Sequence, residues 1–349
     1  MSQLLTFTDR GIYCPAGDFY IDPWRPVDRA LITHGHADHA RPRMQRYLAT
    51  QAAAPVIRYR LGEDIDLQTT PFGSPIRIGD ATVSFHPAGH VPGSAQIRVE
   101  VGGEVWVVSG DYKTIPDGLS EPFEPVACHT FISECTFGLP VFNWLPQSDV
   151  IADINTWWQA NREAGKTSAI GAYALGKAQR ILANIDTTIG PVLTHSAIEN
   201  TNDVLRAQGI DLPGTVRLTG DLDHKAYPGA LIIATPSALN SNWPRGFGPV
   251  STAFASGWMA LRGVRRRRSV DRGFILSDHA DWPGLNEAIK ATGAERIFVT
   301  HGYTVVFRRW LEEAGYQAEI VETEFEGETA DAADENATAG SDSGEDAAS

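Results

Sequence analysis

The stretch THGHADHA, residues 33–40, places three histidines and an aspartate within eight residues. Side chains share a face about every 3.6 residues in a helix and every second residue in a strand, so neither element collects all four on one side. The four are His34, His36, Asp38 and His39. We therefore expect the backbone to change direction here. An extended turn over residues 34–36 would direct two imidazoles to one point, and a helix starting near Asp38 would direct the other two groups to a second point.

The composition is typical of a globular protein without a membrane segment. Hydrophobic residues make up 42% of the 349 residues and aromatic residues 9%. No stretch reaches the run of about 18 apolar residues that would cross a bilayer. The N-terminal MSQLLTFTDRGIYC has charged residues where a signal peptide would be apolar. We expect a cytoplasmic protein with no membrane partner.

The cysteines predict neither a disulfide framework nor a thiolate metal site. Cys14, Cys128 and Cys135 are odd in number, scattered, and lack CxxC spacing. We expect reduced, buried thiols.

Charge is unevenly distributed along the chain. The formal net charge is −14, but residues 322–349 contain ten acidic residues and no lysine or arginine. The stretch WMALRGVRRRRSVDR contains six arginines, namely Arg262, Arg265, Arg266, Arg267, Arg268 and Arg272. This stretch forms either a solvated loop or a local anion-binding face. The second alternative keeps nucleic acid open as a partner although the chain as a whole is acidic.

The pattern of the sequence predicts four segments. Residues 1–145 contain short runs of β-branched and aromatic residues separated by Gly, Pro and Asp turns, which predict a β-rich layer. Residues 146–269 alternate helical and strand patterns, the rhythm of parallel α/β units. Residues 270–325 again pair strands with amphipathic helices. The acidic residues 326–349 contain few apolar side chains and are expected to be disordered.

Imidazole and carboxylate groups recur at the C-terminal ends of predicted strands. Beyond the opening stretch they are Asp22, His90, Asp111, Glu134, His279 and His301. A single histidine at a strand end is more often a hydrogen-bonded structural residue than a ligand. So many groups placed alike favour one shared site, because rigid strands direct side chains into loops where they can converge.

This set of groups predicts a site for two divalent metal ions. Imidazole and carboxylate are ligands that suit zinc. Two cations held close together lower the pKa of a bound water and hold a phosphate for in-line attack. We expect zinc, with manganese as the alternative.

Two other features are expected to be structural. His195 in PVLTHSAIEN lies between a predicted strand and a predicted helix, and is expected to cap that helix. Trp157 and Trp158 are expected to pack a helix or a domain interface.

The motifs carry a family resemblance. HxHxDH at residues 34–39, with an upstream aspartate and downstream histidine and aspartate strings, resembles the metallo-β-lactamase superfamily, whose fold is an αβ/βα sandwich. SECTFG at 133–138, SDHADW at 277–282 and VTHGY at 299–303 resemble the glutamate motif and two histidine motifs of the β-CASP nucleases. ALGKAQ at 174–179 is similar to a helix start in the β-CASP insertion. Over about residues 5–325 the chain looks most like the bacterial ligase-associated DNA exonucleases, a β-CASP branch.

The resemblance implies an α/β fold in which residues 1–145 and 270–325 form the metallo-β-lactamase sandwich. Residues 146–269 would be the inserted α/β β-CASP cap domain. Carried over motif by motif, the ligands of one metal ion would be His34, His36 and His90, and those of the other Asp38, His39 and His301. Asp111 would bridge the two ions.

The resemblance also implies roles beyond the metal ligands. Asp22 would lie behind the ligands and orient a histidine through its other ring nitrogen. His279 would contact the scissile phosphate or protonate the departing 3′ oxygen, and Glu134 would position it. The catalytic residues implied in this way are Asp38, Asp111, Glu134 and His279.

The activity implied is metal-dependent hydrolysis of DNA phosphodiesters by a hydroxide that bridges two metal ions, 5′ to 3′ on single strands, in DNA repair. An ATP-dependent DNA ligase is the implied working partner. Backbone phosphates would be bound by Lys177 and Arg180 at a helix start, or by Arg265, Arg266, Arg267 and Arg268. Two alternatives remain open: an RNA-processing β-CASP nuclease, and a non-catalytic nucleic-acid-binding protein.

Overall fold

The computed structural model describes residues 3–239, 246–267 and 270–325. The described residues form two compact units. Residues up to 143 together with those from 278 onward make up the first unit, and residues 144–277 make up the second. Residues 326–349, which are expected to be disordered, and Arg268 lie outside the described residues.

The first unit contains two sheets, one of six strands and one of seven. The six-stranded sheet runs in chain order through β1 (Thr6–Thr8), β2 (Gly11–Cys14), β3 (Phe19–Ile21), β4 (Arg29–Leu31), β5 (Arg46–Thr50) and β6 (Leu67–Thr70). Strands β1, β2 and β3 pair antiparallel, whereas β3, β4, β5 and β6 pair parallel.

The seven-stranded sheet has the order β19-β18-β11-β10-β9-β8-β7. Its strands are β7 (Ile76–Ile78), β8 (Ala81–Pro87), β9 (Ala95–Val101), β10 (Glu104–Val108), β11 (Thr130–Cys135), β18 (Arg296–Gly302) and β19 (Gln317–Ile320). The first four pair antiparallel, and β10, β11, β18 and β19 pair parallel. Because parallel strands end at one edge, residues that follow β10, β11 and β18 come close together.

Apolar side chains hold the two sheets face to face. One buried cluster combines Ile12, Phe19 and Leu31 of the first sheet with Phe85 and Trp106 of the second. Two further clusters cover the outer faces. The helix α1 (Ala54–Leu61) packs on the first sheet, and the helices α7 (Trp282–Thr292) and α8 (Thr304–Glu313) pack on the second. The layers are therefore helix, sheet, sheet and helix.

Local sequence explains where helix α7 begins and ends. The carboxylate of Asp281 accepts a hydrogen bond from the N–H of Gly284 at 2.9 Å, which caps the first turn. Pro283 follows at the start of the helix, where its missing N–H costs nothing. Gly293 ends the helix with a φ of 68°, a conformation that glycine adopts without strain.

The second unit is built on one parallel sheet with the order β14-β13-β15-β12-β16-β17. Its strands are β12 (Thr167–Gly171), β13 (Val192–Thr194), β14 (Val216–Arg217), β15 (Leu231–Ala234), β16 (Val250–Ala255) and β17 (Arg272–Phe274). Its helices are α2 (Gln147–Glu163), α3 (Lys177–Asn184), α4 (Ser196–Ala207), α5 (Pro236–Leu239) and α6 (Arg262–Arg267). The central strands β12 and β15 are buried along their whole length, as expected for a parallel sheet covered on both faces.

The observed elements agree with the expected α/β class. Strand β17 belongs to the sheet of the second unit, although the sequence pattern assigns residues from 270 onward to the returning segment. Among the described residues, no helix is both long enough and apolar enough to cross a bilayer.

Candidate metal centre

The predicted site residues of the first unit lie at the ends of neighbouring strands. Asp22 follows β3, the 33–40 stretch follows β4, and Asp111 follows β10. Glu134 and His301 are the next-to-last residues of β11 and β18. The register between β11 and β18 shifts between Ser133 and Cys135, and such an irregularity redirects the side chain at that point.

The centre of the site is the carboxylate of Asp111. Its Oδ2 lies 3.6 Å from Nε2 of His34, 3.5 Å from Nε2 of His39 and 3.8 Å from Nε2 of His90. Its Oδ1 lies 3.0 Å from Nε2 of His301. All five side chains are buried or nearly so. Four imidazoles, two from the 33–40 stretch and two from distant parts of the chain, thus direct their Nε2 atoms at one carboxylate.

His36 and Asp38 also belong to the cluster, His36 next to His90 and Asp38 next to His39. Nδ1 of His36 lies 3.0 Å from Nε2 of His90, and ligand atoms of His34, His36, His90 and Asp111 all lie within 4.8 Å of one another. Oδ2 of Asp38 lies 3.7 Å from Nε2 of His39. The structure therefore brings together all seven predicted metal ligands.

The backbone at Asp38 differs from the prediction. Residues 37–39 form a turn and not the start of a helix, with the N–H of Ala40 donating to the carbonyl of His36 at 2.8 Å. Pro42 disfavours helical geometry at the residue before it, and Arg43 has a φ of 75°. The predicted helix is wrong, but a single turn is enough to direct the second pair of side chains.

The second ring nitrogen of each central histidine has a hydrogen-bond partner. Nδ1 of His39 donates to Oδ2 of Asp22 at 2.8 Å, and Nδ1 of His90 donates to the carbonyl of Asp278 at 2.8 Å. The hydroxyls of Thr33 and Thr300 lie 3.0 Å and 3.2 Å from the Nδ1 atoms of the histidines that follow them. Both hydroxyls donate to oxygen elsewhere, so each accepts from the imidazole.

This pattern fixes the tautomer that a metal ligand requires. A proton on Nδ1 leaves Nε2 without one, and metal-bound histidines in proteins are held in this way. Thr33, Asp278 and Thr300 were missed by sequence reasoning. Thr33 and Thr300 could have been found because each directly precedes a predicted ligand, whereas the Asp278 carbonyl depends on the fold.

Asp22 is fixed from several directions. Its Oδ1 accepts from the N–H of Thr33 at 2.8 Å and its Oδ2 accepts from the Thr33 hydroxyl at 2.5 Å, besides the hydrogen bond from His39. Its own backbone has a φ of 42°, which aspartate tolerates better than most residues. The predicted orienting carboxylate thus contacts His39.

Buried polar atoms at the centre lack hydrogen-bond partners. They are Nε2 of His34, His39 and His301 and Oδ1 of Asp111, the last two of which lie 3.0 Å apart without the alignment of a hydrogen bond. A buried polar atom without a partner costs about 1–3 kcal/mol. Divalent cations among these atoms would remove that cost, and the donor set of imidazole and carboxylate suits zinc. The residues present therefore fit a metal centre.

Burial and neighbouring charges shift the pKa values of several side chains in the cluster. Burial, followed by the neighbouring His279 and His36, lowers the pKa of His90 to about 3. Burial and nearby histidines also lower the pKa of His34. Burial would raise the pKa of Asp111, but the surrounding His39 and His301 outweigh it and hold that pKa well below the usual value. A neutral imidazole and an ionised carboxylate are the forms that bind cations.

His39 differs from the other histidines. Burial lowers its pKa, but the carboxylates of Asp111 and Asp38 act in the opposite direction and raise the pKa well above 6.5. Without a cation, a proton on His39 therefore balances the buried negative charge.

Glu134 and His279 form a pair next to this cluster. Nδ1 of His279 lies 2.9 Å and 3.0 Å from the two carboxylate oxygens of Glu134. Burial opposes ionisation of Glu134, but His279 holds its pKa below the usual value. Oε1 of Glu134 also accepts from the N–H of Tyr112 at 2.9 Å. Ligand atoms of Asp111, Glu134 and His279 lie within 4.8 Å of one another, so this pair directly adjoins the Asp111 carboxylate.

The residues expected to bind phosphate lie in the second unit and differ in environment. Lys177 is buried with its Nζ 4.5 Å from the ring centre of Tyr173. Arg180 is buried and donates to the carbonyl of Ser277 and to the side chain of Gln147. Arg265 donates twice to the carbonyl of Met259.

Arg266 and Arg267 are exposed on the short helix α6. Of the residues predicted to bind phosphate, these two arginines are accessible to solvent, whereas the side chains of Lys177 and Arg180 are buried with partners within the unit.

The structural roles expected for His195 and the tryptophans are observed. Nδ1 of His195 accepts from the N–H of Ala197 at the start of α4. The indole of Trp157 donates to Ser251, and that of Trp158 donates to the carbonyl of Gly229.

Comparisons with known proteins place this geometry in context. No family model matches the chain. The chain is 29% identical over 310 residues to a protein of Opitutus terrae named a probable DNA ligase, a match that covers 88% of this chain and 30% of the relative. A ribonuclease of Thermus thermophilus is 26% identical over 191 residues, which is 47% of this chain and 44% of that protein.

An endoribonuclease of Yarrowia lipolytica is 26% identical over 194 residues, covering 46% of this chain and 23% of that protein. The chain thus spans less than half the length of each of these relatives. Two of the three relatives bear nuclease names, and at modest identity they support the metallo-β-lactamase nuclease family that the motifs resemble.

The fold has a counterpart among solved structures. A protein of unknown function from Enterococcus faecalis has a TM-score of 0.57 with this chain at 11% identity, covering 85% of this chain and 79% of that protein. At this identity the likeness concerns the fold alone.

Proposed function

We propose that the chain is a metal-dependent exonuclease that hydrolyses DNA phosphodiester bonds, 5′ to 3′ on single strands, during DNA repair. The observation that carries the proposal is the position of Asp111, whose carboxylate lies between the Nε2 atoms of four histidines. In this proposal the first unit, residues 1–143 and 278–325, forms a metallo-β-lactamase sandwich, and the second unit, residues 144–277, forms a β-CASP cap.

Two divalent cations, zinc or manganese, would bind at the cluster. One would be held by His34, His36 and His90, the other by Asp38, His39 and His301, with Asp111 shared. When bound, such ions supply a water of lowered pKa and positive charge for the phosphate.

The remaining residues orient ligands and move protons. Asp22 keeps the proton of His39 on Nδ1, so that Nε2 stays available to a cation. The carboxylate of Glu134 accepts a hydrogen bond from Nδ1–H of His279 and stabilises an imidazolium, whose Nε2–H can protonate the departing 3′ oxygen. Attack of water at phosphorus then leaves a 5′ phosphate on one product and a 3′ hydroxyl on the other.

Two observations support DNA as the substrate. The chain resembles the ligase-associated exonucleases in its motifs, and the relative matched over 88% of this chain is named as a DNA ligase. An ATP-dependent DNA ligase is therefore the partner we propose. RNA is the second candidate, because the two other relatives are named as ribonucleases.

End-labelled DNA and RNA strands of equal sequence distinguish the two candidates. We expect mononucleotides to be released first from the 5′ end of single-stranded DNA in the presence of manganese or zinc, and the reaction to stop when the ions are chelated. Cleavage of RNA alone would favour the second candidate. Release from the 3′ end would contradict the proposed direction.

A further inference from the structure

The last described residues of the chain contact the candidate metal centre, and neither the motifs nor the relatives assign them a role. Residues 321–325 follow strand β19 at the edge of the second sheet. The segment is tied down at its start, where Val321 is buried in the core between the sheets and its N–H donates to the carbonyl of Val299 at 2.9 Å.

The ring of Phe325 stacks on the imidazole of His39. The two ring centres lie 4.4 Å apart and the planes differ by 10°. The same ring lies edge-on to His301, with ring centres 5.7 Å apart, and edge-on to Trp24 at the same separation of 5.7 Å. Phe325 therefore contacts two of the three side chains that we assign to the second cation.

Glu324 holds this ring in place. Its carboxylate accepts two hydrogen bonds from the guanidinium of Arg25, both at 2.5 Å, and its backbone carbonyl accepts one from Arg41 at 2.6 Å. Paired hydrogen bonds between arginine and a carboxylate fix orientation as well as charge. Arg41 lies just after the 33–40 stretch, so its hydrogen bond joins the segment to the loop that carries His39.

We infer that Glu324 and Phe325 are positioning residues that set metal affinity at the Asp38, His39 and His301 side of the centre. Asp22 restrains the His39 ring in its plane through Nδ1, and Phe325 restrains it from its face. An imidazole that donates electrons to a cation gains positive charge, and the face of an aromatic ring attracts such charge. The segment thus stabilises His39 in the orientation and charge of a ligand.

This inference shares one premise with the proposed function, namely that the site binds metal ions. It can therefore be tested by metal binding, without an activity measurement. Full-length, metal-free protein is titrated with Co²⁺, whose visible absorption reports ligand geometry, and with Zn²⁺ in competition. We expect wild type to bind two ions. Phe325→Ala is expected to lower the affinity for one of these ions by about 10-fold, which is the usual effect of losing a group that orients a ligand. It is also expected to alter the Co²⁺ spectrum.

Two further variants separate positioning from general stability. Phe325→Trp keeps an aromatic face and is expected to restore binding of the second ion. Glu324→Gln weakens the hydrogen bonds from arginine without touching the ring, and is expected to lower the affinity for the same ion. Glu322→Ala changes an exposed residue of the same segment and serves as the control.

The outcomes distinguish this inference from the proposed function. Wild type that binds neither ion would overturn both. Wild type that binds two ions, together with Phe325→Ala that binds both with unchanged affinity and an unchanged Co²⁺ spectrum, would overturn the positioning role alone. Weakened binding that Phe325→Trp does not restore would also contradict it, because a stacking role requires only an aromatic face.

Discussion

Nδ1 of His279 lies 2.9 Å from Oε1 of Glu134, although the two residues come from distant motifs. Both side chains are buried, and Glu134 also accepts the N–H of Tyr112. The pair adjoins Asp111 without belonging to the ring of four histidines around it. This arrangement suits two functions, metal binding and proton transfer, and the two can be distinguished.

Replacing His279 tests which function applies. We expect His279→Ala to lower kcat by about 10²–10⁴-fold, the range for loss of a general acid, while KM and the number of bound ions stay close to wild type. Steady-state kinetics and elemental analysis of the purified protein provide these values. His86→Ala, at a half-buried histidine of the same unit, is the control. Loss of one ion in His279→Ala would identify His279 as a ligand and contradict its proton-transfer role.

Asp22 offers a test of ligand orientation. Asp22→Asn keeps the size of the side chain but removes the charge that holds the His39 proton on Nδ1. We expect metal affinity to fall by about 10–100-fold, measured by competition with a chromogenic chelator. Asp18→Asn is a matched control, because Asp18 has a similar φ of 49° and its carboxylate accepts a hydrogen bond from Tyr13, away from the metal ligands. Equal affinities in Asp22→Asn and wild type would contradict the role of Asp22.

The second unit contains a pH-dependent contribution to stability. Glu199 accepts hydrogen bonds from Thr194, Asn202, Arg206 and Thr215. Burial would raise its pKa, but these donors outweigh burial and lower the pKa to about 2. Because the folded pKa lies below the ordinary value of 4.5, the ionised group stabilises the fold above about pH 4.5, and this stabilisation is lost as the pH falls toward 2.

Glu199→Gln is therefore expected to lower the free energy of unfolding by about 2–3 kcal/mol at pH 7. Urea unfolding followed by tryptophan fluorescence checks this, and the difference from wild type should shrink between pH 4.5 and pH 2. Glu163→Gln, at an exposed position of the same unit, is the control. A difference that does not change with pH would show that the carboxylate charge contributes little.

The arginines of α6 allow a test of nucleic-acid binding. Arg266 and Arg267 are exposed, whereas Arg265 donates to the Met259 carbonyl. We expect the double variant Arg266→Ala, Arg267→Ala to bind single-stranded DNA more weakly. The slope of log affinity against log salt should become shallower by about 0.7 for each phosphate that the protein no longer neutralises.

Fluorescence anisotropy at several salt concentrations measures this slope. Arg309→Ala, at an exposed arginine of helix α8 in the first unit, is the control. An unchanged slope in the double variant would remove α6 from the proposed DNA-binding surface.

The sequence predicts those strands and site residues correctly that depend on a short-range pattern of side chains. The runs before Asp22, Asp111 and His301 form strands, and the parallel order of β10, β11 and β18 brings their ends together. The helix predicted at Asp38 was wrong because Pro42 and the positive φ of Arg43 allow only a turn.

Features that depend on distant packing could not be read from the pattern. Lys177 and Arg180 resemble exposed helix residues, but the partners that bury them, Tyr173 and the Ser277 carbonyl, are set by the fold of the second unit. Phe325 lies at the start of an acidic segment with few apolar residues, and only the pairing of β18 with β19 carries it to His39.

The central claim is that two cations share Asp111, and anomalous X-ray scattering from crystals soaked in zinc or manganese tests it most directly. The account predicts two anomalous peaks about 3.5–4 Å apart, one next to His34, His36 and His90 and the other next to Asp38, His39 and His301. A protein whose crystals take up the metal elsewhere but show no peak beside the Asp111 carboxylate would contradict the account.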